Sequence, residues 1–168
     1  MTESSPFPSH RPGEVALAVD PADAGDASLA FIGRVHSPWR ERGACPKNMR
    51  AAREAGSHPA FVEIDAPFRP ALEGLEPGAH VFLLTWLHRA GRDLALQRPR
   101  HAERSTGTFA LRSPVRPNPI GLHLVRITAI DPEAGRIEID AVDVLDETPL
   151  LDIKPFFASV DVPPVDAL

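Results

Sequence analysis

The chain has 168 residues, of which 43% are hydrophobic and 24% charged, as is ordinary for one compact soluble domain with a short appendage. Its single cysteine, Cys45, excludes an internal disulfide and is typical of a protein of the reducing cytoplasm. No stretch approaches the ~18 consecutive apolar residues of a membrane span. Residues 1–14 lack a basic segment followed by an apolar one, so we expect no signal peptide.

Charge is distributed unevenly, although the formal net charge is only −5. Residues 1–28 contain five acidic side chains and one basic side chain, and residues 130–168 contain ten and two. Between them, residues 29–129 contain 15 Lys and Arg against eight Asp and Glu. This middle section could bind a polyanion such as RNA, or it could be a solvated surface of mixed charge.

The first half of the chain predicts short elements joined by loops. Residues 1–27, rich in Pro, Ser, Ala and Asp, predict a flexible acidic arm or a loosely added strand. A first strand is expected at residues 30–35, followed by a long polar loop with one helical turn around residues 48–54. Further along, residues 60–64 predict a strand and residues 68–75 a short helix or turn. The continuously apolar residues 80–88 predict a central strand that is buried on both faces.

The second half contains the clearest hairpin. Residues 90–105 are basic and typical of a loop, and residues 108–111 predict a strand. Residues 122–130 and 136–145 flank the turn DPEAG and predict two paired strands. A last short strand is expected at residues 150–153, before a tail at residues 163–168. Together with 19 prolines, this pattern predicts an all-β fold for residues 28–162, with a small barrel-like core, short helical turns and long loops.

Several common site patterns are absent from the sequence. There is no G-x-G-x-x-G after a strand and no G-x-x-x-x-G-K, so the usual nucleotide-binding loops are not expected. The seven histidines never occur at metal-ligand spacing with a cysteine or carboxylate, and we expect no metal site. Without a G-x-S-x-G motif, and with no evident partner for Cys45, covalent catalysis is not expected either.

The most unusual segment is RSPVRPNPIG at residues 112–121, here called the proline segment. Its prolines fix φ, remove backbone donors and favour extended conformations in the residues before them. It therefore predicts a stiff, extended connection that leads into a turn at Gly121. Such a backbone would either preorganise Arg112, Arg116 and Asn118 for a ligand or form a barrel corner whose arginines cap carbonyl groups.

The proline segment, followed by LDETPLLDIKPF at residues 145–156, resembles the paired signature of the TrmO/YaeB family, which is also named for VirR and TsaA. IGRVHSPW at residues 32–39 and CPKN at residues 45–48 resemble two further motifs of this family, in the same order. The family contains S-adenosylmethionine-dependent tRNA adenine-N6-methyltransferases. The resemblance, which covers about residues 30–160, implies a barrel-like β core, a homodimer with the cofactor near the subunit interface, and tRNA as a partner.

The resemblance also implies the ligand contacts. The cofactor contacts are Pro46, Lys47, Asn48, His88, Arg89, Arg112, Leu122, Leu145, Asp146, Glu147 and Thr148. Arg or Lys suits the carboxylate of the cofactor, Asp146 its ribose diol, and backbone and apolar groups its adenine. The candidate substrate contacts are Arg116, Asn118, Lys154, Arg98, Arg100 and Arg104. For each position taken alone, a solvated surface group is the alternative.

The implied reaction is in-line transfer of a sulfonium methyl to N6 of threonylcarbamoyl-adenosine beside the anticodon of threonine tRNA. Asp146 or a water molecule would accept the proton that the amine loses. Two alternatives remain open. The first is a methyltransferase that acts on a small molecule or a protein, and the second is a non-catalytic β-barrel that senses the cofactor and binds RNA.

Three residues depart from the family pattern. Glu147 stands where D-G-T-P has glycine, and a glycine would tolerate φ > 0, so Glu147 requires another turn or some strain. Phe156 replaces the tyrosine of K-P-Y and lacks its hydroxyl. His123 stands where serine or a small residue is frequent. None of the three removes the cofactor site, but Glu147 and Phe156 leave the identity of the substrate open.

Overall fold

The computed structural model describes residues 10–56, 58–99 and 102–164. The strands are β1 (Val15–Ala16), β2 (Gly33–His36), β3 (Ala60–Ile64), β4 (His80–Trp86), β5 (Leu94–Gln97), β6 (Thr106–Gly107), β7 (Ile120–Asp131), β8 (Arg136–Ile139) and β9 (Thr148–Pro155). The helices are α1 (Met49–Glu54), α2 (Ala158–Asp161) and two 3₁₀ helices at Ala66–Leu72 and Thr108–Ala110. No helix in this part of the chain is long and apolar enough to cross a membrane.

Contacts divide the chain into two units. The barrel unit comprises Leu29–Trp86 and Gly121–Leu168, and the small-sheet unit comprises Met1–Ser28 and Leu87–Ile120. The first boundary, after Ser28, falls where the sequence predicts the end of the arm. The second differs from the prediction of one domain over residues 28–162, because Leu87–Ile120 groups with the N-terminal segment.

The barrel unit confirms the prediction of an all-β fold with a barrel-like core. Among the described residues, six strands close in the order β2-β3-β8-β7-β4-β9. Alternate side chains point inward because successive residues of a strand face opposite sides. The most deeply buried apolar side chains are Val35, Val62, Ile64, Val81, Leu83, Val125, Ile127, Ile137 and Leu150.

Strand β4 is not buried on both faces, as its unbroken apolar sequence predicted. Val81, Leu83 and Thr85 are at most 1% exposed, whereas Phe82 and Leu84 are half-buried. In a small barrel only the inward face of a strand meets the core, so the apolar run over-predicts burial.

The hairpin β7–β8 confirms the prediction made from DPEAG. Its turn is closed by hydrogen bonds from Ala134 N to Asp131 Oδ1 (3.0 Å) and from Gly135 N to the Pro132 carbonyl (3.2 Å). Gly135 has φ 71°, which suits a residue without Cβ. However, β8 ends at Ile139, and residues 140–147, partly predicted as strand, form the β8–β9 loop.

The small-sheet unit was the least predictable part. Among its described residues, β1, β5 and β6 form one sheet, so strands occur both in the predicted arm and in the predicted loop at residues 90–105. The predicted strand at residues 108–111 is wrong, because Thr108–Ala110 is a 3₁₀ helix. The Thr108 hydroxyl donates to the Leu94 carbonyl (2.7 Å) and accepts from Gln97 Nε2 (3.0 Å), so this helix is held against β5 by side-chain bonds and not by a strand ladder.

The proline segment is irregular, as predicted. Pro119 accepts a hydrogen bond from Leu87 N (2.8 Å), and Arg116 N donates to the Gly91 carbonyl (3.3 Å). The turn expected at Gly121 is not there, because β7 begins at Ile120 and contains this glycine.

The remaining elements lie close to their predicted positions. The helical turn is α1, and residues 60–64 are strand β3 with the expected bounds. Strand β2 begins at Gly33, three residues later than residues 30–35 predict, and the last strand is longer than residues 150–153.

Candidate functional site

Ser37 and Trp39, the polar and aromatic residues of the S-P-W motif, hold the β8–β9 loop. The Ser37 hydroxyl donates to the Val144 carbonyl (2.7 Å), and the Trp39 indole N–H donates to the Val142 carbonyl (2.9 Å). Asp146 N donates to the Trp39 carbonyl (2.8 Å), and Ser37 N donates to Asp146 Oδ1 (3.1 Å). These four bonds, here called the SPW clamp, explain the spacing of a motif that the sequence marked only by resemblance.

The predicted cofactor residues 145–148 lie at the end of this loop and the start of β9, and the SPW clamp holds one of them, Asp146. The Thr148 hydroxyl donates to the Leu145 carbonyl (2.6 Å) and closes a tight turn. Glu147 has φ 63° and is the only non-glycine residue with positive φ in the described part of the chain. The left-handed conformation that glycine would adopt easily is therefore kept, and Glu147 adopts it at a steric cost.

His36, at the end of β2, lies beside this turn. Its Nδ1 is 3.1 Å from Glu147 Oε1 and 3.7 Å from Asp146 Oδ1. On the other side of the ring, Nε2 is 3.2 Å from Glu63 Oε2, at an angle that makes no hydrogen bond. The sequence did not predict this cluster, because its members come from distant parts of the chain.

His36, Asp146 and Glu147 are near enough to one another to hold a metal ion, with candidate ligand atoms within 4.8 Å. The two carboxylates already have cationic partners, because Arg40 Nη2 is 3.6 Å from Asp146 and Arg34 Nε is 3.8 Å from Glu147. We interpret the cluster as ion pairs that hold the turn.

The segment with Pro46, Lys47 and Asn48 is fixed through α1. Asn48 Oδ1 caps this helix by accepting from Ala51 N (2.9 Å). Arg53 in the same helix donates to Asp140 Oδ2 (3.0 Å) and to the Leu124 carbonyl (2.7 Å). These bonds connect α1, and the segment before it, with strand β7 and with the first residue of the β8–β9 loop.

Two predicted cofactor contacts of the barrel unit present accessible side chains of different chemistry. Lys47 is exposed, and Leu122 is 49% exposed on the outer face of β7. A half-exposed leucine within a strand is suited to an apolar ligand surface, and an exposed lysine to an anionic group.

Cys45, directly before this segment, has a perturbed thiol. Burial raises its pKa to about 11, and the negative charge of Asp143 contributes in the same direction. The thiol is therefore protonated at neutral pH, and a protonated thiol is a poor nucleophile.

Inside the barrel, three polar side chains form a buried chain of hydrogen bonds that the sequence did not predict. His123 Nδ1 lies 2.6 Å from Asp143 Oδ1, and its Nε2 lies 3.0 Å from Thr85 Oγ1. Thr85 is fully buried and His123 is 5% exposed. The sequence singled out His123 as a departure from the family, but the partners could not be inferred from spacing.

Five predicted ligand contacts of the small-sheet unit lie around and in the proline segment or directly after β4. Of these, His88, Arg89 and Arg112 are exposed. Arg116 Nη1 donates to the Leu111 carbonyl (3.3 Å), and Asn118 Oδ1 accepts from Arg92 (3.3 Å).

The arginine and lysine side chains that were predicted to bind the substrate differ in their surroundings. Arg98 donates to the Ala102 carbonyl (3.4 Å) and, with Arg11, lines an open depression of about 370 Å³. Arg104 is exposed, whereas Arg100 lies outside the described residues. In the barrel unit, Lys154 Nζ is 2.8 Å from Asp152 Oδ2.

Comparison with known proteins supports one family. The profile of the tRNA-methyltransferase O N-terminal domain matches residues 34–162. The chain is 41% identical over 145 residues to the probable S-adenosyl-L-methionine-binding protein VirR of Rhizobium radiobacter, covering 86% of this chain and 78% of that protein. It is 42% identical over 96 residues to the mouse tRNA (adenine(37)-N6)-methyltransferase, covering 55% of this chain and 22% of the mouse protein.

Comparison with a solved structure supports the same family. The crystal structure of TrmO from Pseudomonas aeruginosa superposes with a TM-score of 0.66 at 36% sequence identity, covering 84% of this chain. This chain spans 60% of the TrmO chain in that structure.

Proposed function

The chain belongs to the tRNA-methyltransferase O family, and on that premise we propose that it transfers a methyl group from S-adenosylmethionine to N6 of an adenine in tRNA. One observation carries this proposal. The family match over residues 34–162 includes both signature segments, and the SPW clamp holds the start of the second one, residues 145–156, through Asp146.

The donor set of the barrel unit fits the cofactor. Asp146 keeps accepting capacity for a ribose diol, since a carboxylate can accept more bonds than the one that it takes from Ser37 N. Leu122 offers an apolar face for adenine, while Lys47 and the backbone of residues 145–148 supply polar contacts. We propose Pro46, Asn48, Thr148 and Glu147 as further contacts of the same ligand.

In the small-sheet unit, we propose that Arg112 binds the carboxylate of the cofactor and that His88 and Arg89 contribute to its binding. A guanidinium can bind a carboxylate through two parallel hydrogen bonds, which fixes orientation as well as charge. When bound, S-adenosylmethionine supplies a sulfonium methyl that needs alignment more than activation. The main work of these side chains is therefore orientation.

Asp146 is also the proposed acceptor for the amine proton, alone or through a water molecule. The variant Asp146→Asn separates its two roles, because an amide can still accept a hydrogen bond but cannot take up a proton. A loss of turnover with unchanged cofactor affinity supports the proton acceptor, and a weaker affinity with unchanged turnover at saturation supports ribose binding alone.

For the methyl acceptor, we propose threonylcarbamoyl-adenosine beside the anticodon of threonine tRNA. We also propose that the protein acts as a homodimer in the cytoplasm. Arg116, Asn118, Lys154, Arg98, Arg100 and Arg104 are the proposed RNA contacts. Single-stranded anticodon bases can be splayed out and stacked on a protein surface, whereas paired bases cannot.

The cofactor assignment is tested by calorimetry on Arg112→Ala, with Arg50→Ala as the control. The side chain of Arg50 is 84% exposed, and its Nε lies 3.6 Å from Glu54 Oε1 in the same helix. We expect weaker S-adenosylmethionine binding for Arg112→Ala alone, with unchanged thermal stability in both variants. Equal affinities would refute the role of Arg112.

The RNA assignment is tested by neutralising Arg98, Arg100 and Arg104 together. We expect weaker tRNA binding and a slope of log K against log[salt] that is shallower by about 2, from ~0.7 per lost contact with a single strand. Unchanged affinity would exclude this segment from the RNA surface.

The reaction itself is tested with threonine tRNA from a strain that lacks the gene. Methyl transfer from labelled S-adenosylmethionine to this tRNA, with a mass shift on the modified adenosine, supports the proposal. Transfer to another acceptor or binding without turnover would favour the two alternative functions.

A further inference from the structure

His123 occupies an unusual position for an ionisable side chain. It lies on the inward face of β7, where Val125 and Ile127, the next two inward residues, are fully buried. A polar group in such surroundings destabilises the fold unless it is hydrogen-bonded. Both ring nitrogens of His123 have partners, Asp143 on one side and Thr85 on the other.

The chemistry of the partners fixes the direction of these hydrogen bonds. An ionised carboxylate can only accept hydrogen bonds, so Nδ1 of His123 carries the proton and donates a hydrogen bond to Asp143. In the neutral imidazole Nε2 is then an acceptor, and the Thr85 hydroxyl can donate to it. The result is a continuous chain of hydrogen bonds from Thr85 in β4 through His123 in β7 to Asp143 in the β8–β9 loop.

Gly121 provides the space for this chain. It lies two residues before His123 on the same face of β7, and a Cβ at this position would be 2.4 Å from both His123 Nε2 and Thr85 Oγ1. Any side chain here would displace one of the two groups. The glycine and the histidine are therefore needed together.

Asp143, the last member of this hydrogen-bonded chain, is related to both predicted cofactor segments of the barrel unit. Along the sequence it stands two residues before Leu145, where residues 145–148 begin. Its negative charge also contributes to the raised pKa of the Cys45 thiol, and Cys45 directly precedes Pro46. The SPW clamp ties the same loop to the end of β2, and His123 ties it to β7 and β4.

We propose that His123 is a positioning residue for the cofactor: by bridging Thr85 and Asp143 inside the barrel, it orders the β8–β9 loop that leads into residues 145–148. This inference rests on the proposed function, because it assigns His123 to the same ligand site. His123 itself points into the barrel, and both of its ring nitrogens already have partners there, so its role is assigned through the loop.

The test compares His123→Ser with Val125→Ala, a truncation on the same inward face that leaves the polar chain intact. Asp143→Asn and Thr85→Val interrupt the chain at its two ends. Calorimetry gives the S-adenosylmethionine affinity of each variant, and hydrogen exchange of the cofactor-free protein reports the Asp146 amide, which donates to Trp39.

We expect His123→Ser and Asp143→Asn to weaken S-adenosylmethionine binding roughly tenfold, the equivalent of one hydrogen bond to a charged group. The same variants should speed exchange at the Asp146 amide, while Val125→Ala leaves both quantities within about twofold of the unmodified protein. Equal effects of His123→Ser and Val125→Ala would overturn the proposal, since general loss of stability would explain both.

Failure of the proposed function has a different signature. If the unmodified protein does not bind S-adenosylmethionine, the proposed function is wrong. The exchange experiment then still decides whether His123 orders the loop, because it needs no ligand. Unchanged exchange in His123→Ser would refute the positioning role even if the protein binds the cofactor.

Discussion

Replacing Glu147 by glycine and by alanine isolates the cost of its left-handed backbone. Both variants lose the carboxylate that lies 3.1 Å from His36 and 3.8 Å from Arg34. Only the glycine variant also loses the Cβ, which is the source of the steric conflict at φ 63°. The difference between the two variants therefore reports the backbone and not the ion pairs.

The expected difference in the free energy of unfolding between the two variants follows from two opposing contributions. A left-handed conformation costs a residue with a Cβ about 1–2 kcal/mol. Glycine recovers this cost but loses about 0.5–1 kcal/mol through the greater freedom of the unfolded chain. The side chain of Glu147 is 51% exposed, so each lost ion pair contributes at most about 1 kcal/mol and is weakened by salt.

We therefore expect Glu147→Gly to be more stable than Glu147→Ala by about 0.5–1 kcal/mol and close to the unmodified protein. Urea denaturation followed by tryptophan fluorescence, with all three proteins in the same buffer, measures the difference. Equal free energies of unfolding for the two variants would refute the reasoning, because a strained backbone must respond to removal of the Cβ.

Three further predictions concern the barrel unit. Ser37→Ala should lower the free energy of unfolding by about 1–3 kcal/mol in chemical denaturation, because the Val144 carbonyl loses its partner. Cys45, with its pKa raised to about 11, should react with a thiol reagent at pH 8 roughly two orders of magnitude more slowly than a free thiol, and faster as the pH rises towards 11. Gly121→Ala should destabilise the fold by about 1–3 kcal/mol through overpacking, whereas Gly43→Ala, with open space around its Cα, should not.

Each of these predictions has a contrary result. A fully stable Ser37→Ala would mean that water replaces the hydroxyl. Rapid modification of Cys45 at pH 8 would mean that the thiol is not shielded as the structure has it. Equal stability of the two glycine variants would show that the barrel interior relaxes around a methyl group.

The features that the sequence predicts well depend on local chemistry. The turn DPEAG, the helical turn around residues 48–54 and the irregular path of the proline segment lie where turn, helix and φ preferences place them, although the turn expected at Gly121 does not form. The glycine of the resembling motif left two possibilities for Glu147, another turn or some strain, and its φ of 63° corresponds to the second.

Other features depend on contacts between residues far apart in the chain, and spacing does not encode them. His36 meets Glu147 across 111 positions in the sequence, and Thr85 meets His123 across 38. The small sheet joins a two-residue strand in the predicted arm to a segment some 80 residues later, and such short strands have no measurable periodicity.

The SPW clamp contacts the β8–β9 loop mainly through main-chain atoms, the Val142 and Val144 carbonyls and the Asp146 N–H. Main-chain partners survive a change of side chain. During evolution, the loop can therefore exchange side chains while its path stays the same. The glutamate at position 147, where the resembling motif has glycine, is such an exchange.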